Sequence, residues 1–280
     1  SGALSTVGNQ TFYGPVTLSA GIALTTTSGT VWFTGAVNSD NVTPKNLTIS
    51  GGILKLDGIV GGTDALNNIT TTNSGALDLN AAITNAVSLS VSGASDLGAN
   101  VTTTGNSQTY SGPVTLSADT TLTDAGNILF SSTVDGGYAL TIINSGTGDV
   151  TFTGAVGGTN ALTGLTITTD VLTAAAIKSS GTLSVTNSDS SSITGIISDG
   201  GSALAVTKAG AGQLTLAGIN TYTGSTTISA GELAIYAESG LGANPGTFVA
   251  NQLIFNGGTL FNSSGGNISF SSNKIWIEHV

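Results

Sequence analysis

The 280-residue chain contains no cysteine, no methionine and no arginine, a single histidine, four prolines and only 7% charged residues. Each shortage closes off a class of chemistry. Without cysteine there are no disulfides, no thiolate metal sites and no cysteine nucleophile. A chain that crosses an oxidising compartment unfolded also benefits from having no thiols to pair wrongly. The cations are Lys45, Lys55, Lys178, Lys208 and Lys274, set against 15 acidic residues for a net charge of −10. Neutralising phosphates takes clustered Lys and Arg, so nucleic acid and anionic membranes are set aside as partners. The one histidine, His279, precedes the terminal Val280. A Ser–His–Asp relay or a histidine metal site needs further groups to orient the ring. Catalytic residues, cofactor-binding residues, cofactors and metal ligands are therefore all expected to be none. No apolar run approaches the roughly 18 residues of a membrane span, so no membrane insertion of this segment is expected. Ser1-Gly2-Ala3 opens the chain without a basic or apolar leader, and the sequence reads as part of something longer.

What is present is glycine, 41 residues of it, with Ser, Thr and Asn in most polar positions and 39% hydrophobic content. These polar residues are poor helix formers, and the evenly spaced Val, Ile and Leu carry too much apolar surface for disorder. Ala76-Leu-Asp-Leu-Asn80, Val87-Ser-Leu-Ser-Val91, Leu183-Ser-Val-Thr186 and Gln213-Leu-Thr-Leu216 alternate apolar with polar side chains. That is the period-2 signature of half-buried strands. Turn clusters such as Ser50-Gly-Gly52, Val60-Gly-Gly62, Asp135-Gly-Gly137 and Asp199-Gly-Gly201 separate them.

Two repeats are nested in this pattern. Gln10-Thr-Phe-Tyr-Gly-Pro-Val-Thr-Leu-Ser-Ala20 returns 98 residues later as Gln108-Thr-Tyr-Ser-Gly-Pro-Val-Thr-Leu-Ser-Ala118, and Phe-Thr-Gly-Ala-Val stands at both 33–37 and 152–156. A shorter period of 22, 21 and 21 residues separates Leu140, Leu162, Leu183 and Leu204. Periods of this size point to a solenoid. At roughly 21 residues per coil and about 4.8 Å per rung, the chain would make about 13 coils and a rod of about 60 Å. Tandem β-sandwich modules of about 98 residues are the competing architecture. Against them, no linker marks a boundary, Trp32 and Trp276 do not recur once per module, and the short period crosses the proposed joints.

Residues 204–236 carry Lys208, Gly210, Gly212, Leu214, Leu216, Gly218, Asn220, Tyr222, Gly224, Thr226, Ile228, Gly231 and Leu233 at fixed spacing. This stretch closely resembles the autotransporter-associated β-strand repeat, also called the passenger-associated transport repeat. Leu241-Gly-Ala-Asn-Pro245 and Gln252–Leu260 look like its usual sequel, and the upstream coils resemble filamentous-haemagglutinin-type adhesins in style. The resemblance implies an all-β, right-handed, three-faced parallel β-helix (β-solenoid), exported through an outer-membrane pore and displayed extracellularly on a bacterial surface. On that reading 1–280 is one continuous segment: degenerate coils at 1–203, the transport repeat at 204–236 and further coils at 237–280. Within the repeat, Lys208 is expected to point outward at a corner, Asn220-Thr-Tyr222 to open a strand, and Gly224 and Gly231 to turn. Asn220 would either stack on a like residue or cap a turn.

The expected function is a non-catalytic stalk or adhesin segment whose receptor, a protein or a glycan, is unknown. Alternatives are a self-assembling filament or sheath subunit that associates end to end, and a carbohydrate-active β-helix. Paired acids for the latter would come from Asp57 with Asp78, Asp78 with Asp96, Asp149 with Asp170, or Asp170 with Asp189. Asp135, Asp149 and Asp199 sit in fragments of glycine–aspartate calcium motifs, none complete. Phe12, Tyr13, Trp32, Phe33, Tyr110, Phe130 and Phe152 are read as core stacking rather than a binding platform.

Overall fold

A computed structural model describes residues 2–274, so Trp276 and His279 lie outside the described residues. The chain is all-β, a parallel β-solenoid of about 11 turns with about 21 residues per coil, roughly 50 Å long at the rung spacing of parallel strands. Each full turn has three faces. The first turn contributes β1 (Gly2–Thr6), β2 (Gln10–Phe12) and β3 (Val16–Leu18), and the second β4 (Ile22–Thr26), β5 (Thr30–Phe33) and β6 (Val37–Ser39). β1 pairs with β4, β2 with β5 and β3 with β6, all parallel and in register. The sandwich alternative falls, because every strand pairing is parallel to a strand one coil away.

The alternation seen in the sequence is what lets the coil stack. Along the third face one inward column climbs Val16, Val37, Val60, Ile83, Val101, Leu122, Ile142, Ile167, Val185, Lys208, Ile228 and Phe255. On the first face Tyr110, Phe130 and Phe152 stack with centroids 5.1 and 4.7 Å apart, and on the second face Phe12 lies 4.8 Å from Phe33. Stacked rings add to the burial that holds successive coils together. Corners are set by close backbone approach. A Cβ at Gly35 would overlap the carbonyl of Gly14, and one at Gly58 the carbonyl of Gly35, so these two corner positions exclude a side chain.

The coil resolves where both repeats fall. The leucines spaced by about 21 residues do not share one column, since Leu140 faces Leu165, which faces Leu183, which faces Val206. Leu162 and Leu204 instead sit buried at the approaches to strands. Corner lengths differ from coil to coil, and the short period is an average. The 98-residue repeat also does not stack on itself. Gln10 and Phe12 lie on the second face, paired with Val31 and Phe33, whereas Gln108 and Tyr110 lie on the first, paired with Ile128 and Phe130. Ninety-eight residues is about four and two-thirds coils of about 21 residues, so each copy lands one face back from its predecessor.

Candidate functional site

In the strand Ala205–Ala209, Lys208 takes an inward position between Val185 and Ile228. It is fully buried, which corrects the outward placement expected from sequence. Its Nζ donates to the carbonyls of Ala209 (2.6 Å), Gly210 (2.8 Å) and Ala230 (3.4 Å). Gly210, at φ +77°, sits in a left-handed corner that a Cβ would strain. Burial pushes the ammonium pKa down to about 8. The lysine thus closes a carbonyl-lined corner and links it to the next coil. Lys274 repeats the arrangement, donating to Leu241 (3.1 Å) and to Gly242 (2.8 Å), with Gly242 at φ +79°.

Asn220 opens no strand, because 217–225 is irregular in the structure. It neither stacks on another asparagine nor merely caps a turn. Its Oδ1 accepts from Ile197 N (2.9 Å) and its Nδ2 donates to Gly240 O (2.8 Å), so the amide joins the coil below to the coil above. It supplements the backbone bonds that this segment keeps, Thr221 N to Ile197 O (2.9 Å) and Asn220 N to Ser239 O (3.0 Å), and satisfies groups that would be costly to bury unpaired. Tyr222 is buried beside it, with its hydroxyl 2.6 Å from Thr226 Oγ1. Gly231 turns at φ +64°, as expected.

A second constellation lies on the outward side of the second face. Thr11, Trp32, Lys55, Asp78, Asp96, Thr115 and Asp135 form one register column there, a rung apart. Trp32 Nε1 donates to Asp57 Oδ2 (2.7 Å), and Lys55 pairs with Asp78 (2.7 Å) and Asp57 (3.6 Å). Asn80 Nδ2 donates to both Asp57 Oδ1 and Asp78 Oδ1 at 2.9 Å. Partial burial works against ionisation of Asp57, but the donors Asn80 and Trp32 and the charge of Lys55 hold its carboxyl below the ordinary range. The hydrogen bond to Asp78 raises the Lys55 ammonium.

The structure thus brings Asp57, Asp78 and Asp96 together. Asp170 and Asp189 meet only through the backbone, Asp189 N donating to Asp170 O (3.1 Å). Asp135 and Asp199 brace loops across coils: Asp135 Oδ1 accepts from Thr159 and Asn160, and Asp199 accepts from Leu204 and Thr223. Among the described residues no group of three or more His, Asp or Glu side chains is placed to hold a metal ion. Five of the seven aromatics stack in the core as expected. Tyr13 is 82% exposed and Trp32 faces outward, so these two depart from that reading.

Sequence reasoning missed the buried corner donors. Gln10 Nε2 donates to Thr25 O (2.8 Å) and Gln108 Nε2 to Thr123 O (2.9 Å), while Asn144 and Asn187 donate to corner carbonyls further along. The signal was there: both glutamines head the two copies of the long repeat.

The class is therefore a parallel β-solenoid in which an irregular, side-chain-bridged second face follows regular coils. Within it, residues 206–235 match the family model described as passenger-associated-transport-repeat. No curated protein and no solved structure matches the chain. The repeat and the solenoid together fit an autotransporter passenger.

Proposed function

We propose that this chain is a non-catalytic stalk or adhesin segment of a secreted bacterial surface protein, giving rigid display and contact at the cell exterior. The observation that carries the reading is a transport repeat at 206–235 built into a continuous parallel rod. A solenoid is stiff because every coil is hydrogen-bonded to its neighbours along its length. The test is fusion to an outer-membrane autotransporter barrel, with display scored by antibody labelling and protease shaving of intact cells. Surface signal that falls when 206–235 is deleted is the expected result. Retention inside the envelope of a folded, full-length fusion would refute the reading.

A further inference from the structure

We propose that the cluster of Trp32, Lys55, Asp57, Asp78 and Asn80 on the second face is a binding site for a neutral oligosaccharide. It gives the contact half of the stalk reading a specific place, and uses the flat sheet face that the solenoid provides.

The placement is the first argument. A structural sheet exterior in this protein is made from threonine: Thr11 and Thr115 hold the same register column on either side of the cluster, and such residues satisfy a strand without a partner. Between them the column changes to Trp32, Lys55, Asp78 and Asp96. Charged residues make up only 7% of the chain, and in-register stacking puts Asp78 directly beside Asp96, an unfavourable juxtaposition of like charges. The Lys55–Asp78 ion pair (2.7 Å) is a partly exposed pair of the kind that adds little to stability, so fold stability alone gives little reason to depart from threonine here.

The chemistry is the second argument. Trp32 is held through its Nε1 by Asp57 (2.7 Å), and Asn80 braces both Asp57 and Asp78. The groups are ordered before any ligand arrives, which removes part of the cost of binding. Asp57 Oδ2 and both oxygens of Asp78 receive one donor each, from Trp32, Lys55 or Asn80, which leaves each a further lone pair. The site thus presents an indole beside several fixed acceptors. A pyranose complements it, with hydroxyl donors along its edge and an apolar face for the indole. Three carboxylates, Asp57, Asp78 and Asp96, outnumber the one ammonium, so acidic sugars and sulfated glycans are disfavoured. From Trp32 to Asp96 is three rungs, roughly 14 Å, which matches a short oligosaccharide laid along the column.

Binding is tested by titrating cellohexaose, chitohexaose and maltohexaose into the full chain carrying Trp276→Phe. Trp32 is then the sole tryptophan of the two, and calorimetry runs alongside fluorescence. The expected result is saturable binding of at least one hexamer, little changed by salt, because a neutral ligand has no charge to screen. Trp32→Ala and Asn80→Ala should each weaken it by about tenfold or more, equivalent to about 1.4 kcal/mol, while Thr115→Ala leaves it unchanged. Circular dichroism verifies that each variant keeps the β-fold. No saturable response to any hexamer overturns the proposal. So does binding that survives both substitutions, or binding only of oligolysine that vanishes with salt. Display on cells is scored separately, so failure here leaves the stalk reading standing.

Discussion

Replacing Lys208 probes the link between the transport repeat and the stability of the rod. Lys208→Ala removes about three methylene equivalents from a fully buried stem, worth about 0.8 kcal/mol each. It also leaves the carbonyls of Ala209, Gly210 and Ala230 without their donor, at about 1–3 kcal/mol for an orphaned buried group. A total cost of about 4–5 kcal/mol follows. Lys208→Met keeps the packing between Val185 and Ile228 and removes a desolvated charge along with the donor, so its cost near neutral pH should be only about 1–2 kcal/mol.

The pH dependence separates the charge from the packing. The ammonium pKa is about 8 in the folded chain against 10.5 unperturbed. Below pH 8 both states are protonated and the penalty of the buried charge is fully present. Between those two values the unfolded chain binds more protons, so stability rises with pH. Urea unfolding followed by circular dichroism at about pH 7 and pH 9.5 should show wild type gaining about 2 kcal/mol over Lys208→Met. Titration of the other lysines and of the tyrosines is common to both proteins and cancels. Hydrogen exchange across 205–235 localises the effect, since a solenoid can open one stretch at a time. Equal pH slopes in the two proteins, or an alanine cost below about 1 kcal/mol, would refute the reasoning.

The two copies of the long repeat predict each other. Tyr110 donates to Gln108 Oε1 (3.1 Å), whereas Phe12 has no hydroxyl and Gln10 Oε1 is buried without a hydrogen bond. Phe12→Tyr should therefore stabilise the rod by about 1 kcal/mol and Tyr110→Phe cost about 1–3 kcal/mol, read from denaturant midpoints; opposite signs would count against the equivalence. Asp124 is fully buried with Oδ2 unpartnered, in register with Asn144, whose Nδ2 donates to Gly126 O. Asp124→Asn places an amide donor where the unpartnered oxygen sits, able to reach a corner carbonyl as Asn144 does, for an expected gain of about 1 kcal/mol by thermal melt. Gly58→Ala drives a Cβ into the Gly35 carbonyl and should cost about 1–3 kcal/mol, while Ala36→Gly at the half-buried neighbouring corner position should cost under about 1 kcal/mol.

Much of the architecture was legible because β-structure and stacking leave local marks. Alternation at Ala76–Asn80 and Gln213–Leu216 marks strands whatever they pair with, and the glycines of Phe-Thr-Gly-Ala-Val mark corners. The regular matches from Lys208 to Leu233 were enough to find the transport repeat. Lys208 itself was misplaced because a lysine in a strand is ordinarily solvated, and nothing near it in sequence announces three carbonyls waiting at a buried corner. The polar cluster was half visible: the separation of Asp57 and Asp78 suggested neighbouring coils, but the roles of Trp32, Lys55 and Asn80 depend on register.

The amino-acid order alone determined that this chain is all strand and turn, that its strands recur about once every coil-third, and that its second copy of Gln-Thr-aromatic must find a similar corner. Only the three-dimensional coil decided which face each copy occupies and which distant side chains become neighbours. The reason is geometric. A residue's azimuth on a solenoid is the running sum of every corner length before it, so one extra residue in a turn rotates all that follows, and no local window of sequence contains that sum.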